Sequence, residues 1–327
     1  MLCAFFLRLN FTACAALCSL SLYYNLALVC ETFYHLARDA GFPLRKTRRE
    51  TSMEINYQET SKDLLKRIDI HETYGARNID LWNMEVLKPQ PDFKILDVGC
   101  GAGKQCFLYS DYTKGQADIT GGDFSAELLE KARAKLAERG EKNIRFQFLD
   151  FNKPFAFEEN TFDLLSSAFA IYYASNLKFT FREAYRVLRS PDPASGKPGG
   201  RLFVTGPLPA NKKMFYDIIK EASNKPIPPM PGSSRFKGQI FDTISSIFSR
   251  TELLTFENPL TFPEVSPFID YVRASLSEDR KLWTSMFNGK EEYETLINKI
   301  EKVATSWLKR DGKLVMTKVV GGILATK

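Results

Sequence analysis

From Ile68 onward the chain alternates short apolar runs of β type with amphipathic helical stretches. This alternation is the pattern of a parallel sheet covered on both faces, because each strand must be returned to the same edge by a crossover helix. It predicts strands over 93–98, 117–123, 144–150, 163–169 and 201–206. The clearest helix is Ser125–Arg139, with Ser125 as N-cap, Leu128, Leu129, Ala132 and Leu136 on one face and Gly140 just past its end. Another is predicted over 178–189, stopping before the loop SPDPASGKPGG at 190–200.

After Pro207 the alternation loosens for about a hundred residues, around prolines 226, 228, 229 and 231. Helices are expected near 212–222, 236–249, 264–275 and 290–309, so 208–312 reads as a helical insertion over the sheet edge. The chain closes on a β-rich run, 314–327, in which Gly321 and Gly322 predict a bend or bulge.

The 327 residues allow one enlarged α/β domain or a domain with an appendage, and 42 aromatic residues supply ample apolar surface for a core. The net charge of +6 is unevenly spread. Residues 1–50 hold six basic and three acidic side chains, so half of the excess lies there and no concentrated basic face of the kind nucleic acid requires is visible in the body. Four of the six cysteines fall in the first 30 residues. Cys100 and Cys106 lack paired CxxC spacing and the only histidines are His35 and His71, so neither a disulfide scaffold nor a metal site is expected, and a reducing, cytoplasmic setting fits the body of the chain.

Leu9–Cys30 carries no charged side chain and is just long enough to cross a bilayer, and the arginines and lysine at 38–49 would place the body in the cytosol. Asn10, Thr12, Ser19, Ser21 and Asn25 weaken that signal. Residues 1–52 are therefore read as a membrane anchor or as a dispensable extension upstream of Met53, ahead of a cleaved signal peptide, and 53–327 as the functional domain.

The run Asp97-Val98-Gly99-Cys100-Gly101-Ala102-Gly103 follows an apolar strand and precedes a helix-compatible stretch. Glycines at 99, 101 and 103 permit a tight turn and close backbone approach of a ligand at the carboxyl edge of the sheet. Asp123 ends the next strand, where an acidic side chain can accept hydrogen bonds from both hydroxyls of a ribose, and Asp150 ends the third. The glycine pattern is GxGxG, no GK[ST] follows it, and the pyrophosphate of a dinucleotide would be repelled by Asp97, whereas a ligand bearing a sulfonium and an ammonium would be attracted.

These motifs resemble the class I S-adenosylmethionine-dependent methyltransferases, in particular the small-molecule group that includes the ubiquinone and menaquinone C-methyltransferases. ILDVGCGAGK is similar to the family's first motif, GGDFSAELLEKAR to its second, FLDFNKPF to its third and FDLLSSAFAIYYA to its fourth; the resemblance covers about Ile68–Pro207. It implies a Rossmann-like, doubly wound, mostly parallel seven-stranded sheet with an antiparallel last strand. It also implies S-adenosyl-L-methionine as cofactor, with Asp97, Gly99, Gly101 and Gly103 around its methionine part, Asp123 on the ribose and Phe124 along the adenine. Asp150 and Phe151 would sit at the adenine edge, Phe169 near the amino-acid end, and Tyr74 on an N-terminal helix that closes over the cofactor; a packing aromatic on an amphipathic helix is the other reading of Tyr74.

Methyl transfer from a sulfonium is an in-line displacement that needs alignment and exclusion of water more than a dedicated base. If a base is used, the candidates are His71, Tyr172 and Tyr173. The [DN]PP[YF] tetrad of amino-methylating nucleic-acid enzymes is absent after the fourth strand, where the chain has SAFA, and no carboxylate cluster for magnesium is visible. A small, partly apolar or carboxylate-bearing acceptor methylated on O or C is the expectation, with aromatics of 208–312 roofing its pocket or filling the insertion's own core. A carrier-protein-bound acyl group and a non-catalytic cofactor-binding role are the alternatives.

Overall fold

The structure, a computed structural model, describes residues 60–194, 196–228, 233 and 235–327. The apolar stretch 9–30 and Met53 lie outside the described residues; among the described residues no helix is long and apolar enough to cross a membrane.

In chain order the elements are α1 (Ser61–Tyr74), α2 (Ile79–Leu87), β1 (Lys94–Val98), α3 (Lys104–Tyr112), β2 (Asp118–Asp123), α4 (Ala126–Arg139), β3 (Ile144–Phe148), β4 (Leu164–Ala168), α5 (Leu177–Val187) and β5 (Arg201–Pro207). They are followed by α6 (Lys213–Ser223), α7 (Phe241–Ser245), β6 (Arg250–Phe262), α8 (Val265–Ala274), α9 (Arg280–Met286), α10 (Lys290–Asp311) and β7 (Leu314–Thr326). The strands form one seven-stranded sheet in the order β3-β2-β1-β4-β5-β7-β6, the Rossmann-like doubly wound arrangement expected, with β1 to β5 parallel and β7 antiparallel to both neighbours.

Side chains alternate across β1, so its two faces feed two cores. Leu96 and Val98 join Phe181 and Val187 of α5, while Ile95 joins Leu87, Phe107 and Leu129 of α2, α3 and α4. The helix predicted at 125–139 forms with its caps as read: Ser125 Oγ accepts from the Leu128 N–H at 3.3 Å, and Gly140 is left-handed at φ +68°.

Two expectations need correction. The segment 208–312 is not wholly helical: β6 lies inside it and supplies the edge strand, thirteen residues paired along the whole of β7. Its pattern escaped reading because one face is largely solvated and Pro259 interrupts the apolar run, which an edge strand tolerates. Nor do Gly321 and Gly322 bend β7; its ladder to β5 and β6 is unbroken. They make room instead, since a Cβ at Gly321 would lie 2.7 Å from the Phe236 ring and one at Gly322 2.7 Å from Trp82.

β5 ends opposite Val320, whereas β6 and β7 stay paired down to Phe262 and Leu314. The β6–β7 ribbon therefore projects past the carboxyl edge of the parallel strands. A third core, with Ile70 of α1, Phe215 of α6, Trp283 of α9, Ile300 of α10, Phe262 and Met316, packs against that projection. The ribbon and its helices wall one side of the edge where open α/β sheets bind ligands.

Candidate active site

The β1–α3 turn is shaped by its glycines. Gly99, at φ +74°, approaches the chain after β4 so closely that a Cβ would lie 2.3 Å from the Ala170 Cβ. The Gly99 and Cys100 N–H groups donate to the Gly122 carbonyl at 2.7 and 3.1 Å, tying the turn to the end of β2. Gly101 has open space where its side chain would be, so the backbone is accessible at that point. Its N–H donates to Asp123 Oδ2 at 2.8 Å, and the Ser125 N–H donates to Asp123 Oδ1 at 2.8 Å. Asp123 is thereby fixed between two loops, with lone pairs left on each oxygen.

Asp97 is buried beneath the turn. It accepts from Ser166 Oγ at 2.7 Å and lies 3.8 Å from Cys106 Sγ. Burial pushes its carboxyl up to about 6, opposed by the Ser166 and Cys106 hydrogen bonds and assisted by the negative charge of Asp123. Such a carboxylate gains from any cation brought to it.

Phe124, Phe148 and Phe169 are exposed at the carboxyl ends of β2, β3 and β4. Phe169 holds a left-handed backbone at φ +55°, an unusual conformation for an aromatic residue. Phe148 was not singled out from the sequence, although it pairs with Asp123 across β2 and β3. Asp150 accepts from the Asn152 N–H at 2.9 Å and closes a turn. Phe151 buries its ring in the core shared with α5 rather than standing at an open edge.

The remaining sequence candidates belong to a different neighbourhood. His71 and Tyr74 lie on α1; Tyr74 packs on Phe262 with ring centroids 5.3 Å apart, which fits the packing reading. His71 lies 5.6 Å from the Tyr271 ring, and its Nε2 is enclosed without a hydrogen-bond partner. Burial, then Lys318 and Arg67, lower its pKa well below the ordinary histidine value, so the imidazole is neutral. Tyr172 is buried, its hydroxyl 3.4 Å from that of Tyr173, and burial followed by the Tyr173 neighbour raises its phenol well above the ordinary range. That phenol is a proton donor rather than a base at neutral pH.

Around His71 the structure gathers charges that no sequence motif announced. Lys212 is held by Asp279 at 2.7 Å and Glu278 at 3.1 Å, and Arg67 pairs with Glu278 at 2.9 Å. Burial opposes the charge on Lys212, but Asp279 and Glu278 overcome it and hold the ammonium well above its usual range. Lys318 of β7 lies 3.4 Å from the Tyr271 hydroxyl. A lysine inside the apolar run 314–327 was the one sequence signal of this cluster; Lys212, Glu278 and Asp279 gave none. Among the described residues no group of three or more His, Cys, Asp or Glu could hold a metal ion.

Comparison with known proteins agrees with this geometry. Residues 89–208, which hold β1 to β5, match the family model described as a methyltransferase domain. The chain is 34% identical over 127 residues to the demethylmenaquinone methyltransferase of Lactococcus lactis, covering 38% of this chain and 46% of that protein. It is 32% identical over 129 residues to the ubiquinone/menaquinone biosynthesis C-methyltransferase UbiE of Desulfotalea psychrophila, 39% of this chain and 46% of that one. With the aklanonic acid methyltransferase DauC of a Streptomyces species it shares 28% identity over 141 residues, 43% and 58% of the two chains. The match thus spans about half the length of these relatives. The glycine turn, the acidic strand ends and the first five strands of the sheet all lie in or beside the segment 89–208, which is similar to a methyltransferase domain.

Proposed function

We propose that the chain is an enzyme that transfers a methyl group from S-adenosyl-L-methionine to O or C of a small metabolite. The observation that carries this reading is the clamp of Asp123 between the Gly101 and Ser125 amides, beside an open backbone at Gly101 and exposed Phe124. In it Asp123 holds the ribose hydroxyls, Phe124 and Phe148 flank the adenine, and Asp97 attracts the cationic methionine end behind Gly99, Gly101 and Gly103. Asp150 remains at the adenine edge through its turn, and Phe169 faces the methionine end. The cofactor supplies an activated methyl on a sulfonium. The protein's part is to hold that end between Asp97 and the glycine turn, to present the acceptor in line and to keep water out.

Residues 53–327 act as one methyltransferase domain in this proposal, and 208–312, with its edge strand, caps the acceptor side. His71, neutral and enclosed, is the better placed proton acceptor of the three candidates, and the Tyr172 and Tyr173 hydroxyls are hydrogen-bond donors. Relatives named for quinone C-methylation and for aklanonic acid methylation leave O and C both open. The test is incubation of the full chain with S-[methyl-³H]adenosylmethionine and a panel of small organic acids, phenols and quinols. Label in an extractable product supports transfer; tight cofactor binding without labelled product from any class would leave a non-catalytic cofactor-binding protein.

A further inference from the structure

Asp97 has two neighbours in register across the sheet, Gly121 on β2 and Ser166 on β4. Residues in register present their side chains to the same face, so these are the two positions from which the sheet itself can reach the carboxyl group. Gly121 offers no side chain. Ser166 donates its hydroxyl to Asp97 Oδ1 at 2.7 Å, and both residues are 1% exposed. From α3, packed over this face, Cys106 Sγ lies 3.8 Å from Asp97 Oδ2, and Tyr109 is hydrogen-bonded to Ser166. Ser166 has one hydroxyl proton and Asp97 takes it, so Tyr109 is the donor to Ser166 Oγ and both hydrogen bonds point toward the carboxylate. Burial raises the Tyr109 phenol well above its ordinary range, which keeps that donor protonated.

The groups facing Asp97 are therefore the hydroxyl of Ser166, the thiol of Cys106 and the phenol of Tyr109 behind Ser166, with Asp123 as the nearby charge. Among the described residues no cation pairs with it. A thiol is a weak donor, so the ionised form leans on one hydroxyl. The next residue does different work. Ser167 donates to the Val98 carbonyl at 2.7 Å and accepts from the Ile171 N–H at 3.1 Å, tying the end of β1 to the turn after β4 through backbone groups alone.

We infer that Ser166 is a positioning residue of the proposed cofactor site: it holds the buried Asp97 carboxyl in its ionised form and so sets the acidity at which the cationic end of the cofactor ceases to be received. Burial carries Asp97 up to about 6, and the Ser166 hydrogen bond is the larger of the two that oppose it. Without that bond the carboxyl stays protonated over a wider range. The inference rests on the cofactor reading for the identity of the cation; the hold on Asp97 does not depend on it.

The test is a calorimetric titration of S-adenosylmethionine into the full chain, Ser166→Ala and Ser167→Ala at pH 6 and pH 8. Loss of one charge-assisted hydrogen bond moves the Asp97 midpoint up by about one pH unit, and affinity follows the ionised fraction. Ser166→Ala is expected to bind about fivefold more weakly than wild type at pH 6 and within about twofold of it at pH 8, whereas Ser167→Ala changes affinity by one factor at both. An equal loss at both pH values in Ser166→Ala, no loss at either, or the same pH-selective loss in Ser167→Ala would overturn the proposal. Urea unfolding without ligand reads the same group. The folded value of Asp97 is raised, so its protonation-linked stability is lost as pH rises through that value; in Ser166→Ala the loss extends to higher pH, and the gap to wild type widens from pH 6 to pH 8. A constant gap would overturn the proposal. A widening gap in a chain that binds no S-adenosylmethionine would sink the cofactor reading and leave the hold on Asp97 standing. If the alanine variant does not fold, Ser166→Cys, with a weaker donor of similar size, is read in the same way, and a loss of at least about twofold confined to pH 6 is expected; its absence would overturn the proposal.

Discussion

The two neighbourhoods at the carboxyl edge differ in composition and in origin. The rim proposed to hold the cofactor is acidic, with Asp97, Asp123 and Asp150 at successive strand ends, and it is built within residues 97–151 from turns that follow their own strands. The cluster around Lys318 mixes cations with carboxylates and is assembled from α1, the start of α6, the α8–α9 connection and β7, segments up to about 250 residues apart. The first leaves its carboxylates facing an open turn at Gly101, whereas in the second the charges are buried and pair with one another. The difference shows that one half of such a site is a local property of the chain and the other a property of the completed fold.

Breaking either region should leave the other intact. The largest effect on folding is expected from Asp279→Ala, which removes the closest counter-charge of the fully buried Lys212 and should cost about 3 kcal/mol in urea denaturation, with cofactor affinity unchanged. Gly99→Ala should cost somewhat less, about 2 kcal/mol, because a Cβ meets Ala170 and the left-handed backbone is strained. Unlike the first substitution, it should also weaken cofactor binding, which a calorimetric titration of the purified variant would show.

The pH dependence sharpens the contrast further. The Asp97 pKa is raised in the fold, so the stability linked to its protonation is complete below its ordinary value of 3.8 and is lost as pH rises through about 6. A cation favours the ionised form, so affinity for S-adenosylmethionine should climb about tenfold between pH 5 and pH 7 and then level off. In Asp97→Asn the profile should be flat over that window. A slope that persists in the variant would assign the titration to another group.

Legibility in the sequence followed the same division. The parallel strands, the helix capped by Ser125 and Gly140, and the placement of Asp97 and Asp123 could be read because strand, turn and cap each depend on a few consecutive residues. That the Phe151 ring joins the core while Phe148 turns outward was not legible, because periodicity says which positions are apolar, not which of two neighbouring rings is exposed. β6 went unseen because an edge strand with one solvated face carries half the usual signal. Lys212, Glu278 and Asp279 were invisible for a different reason: an ion pair spanning 67 residues leaves no spacing to recognise.

The most direct test of the account is a calorimetric titration of S-adenosylmethionine into the full chain and into Asp123→Ala. Micromolar binding to the wild type, weakened at least about a hundredfold in the variant with its melting temperature little changed, is the predicted result; two charge-assisted hydrogen bonds to the ribose account for a loss of that size. Binding that is absent from the folded wild type, or equally tight in Asp123→Ala, would contradict the claim that the acidic rim is the cofactor site.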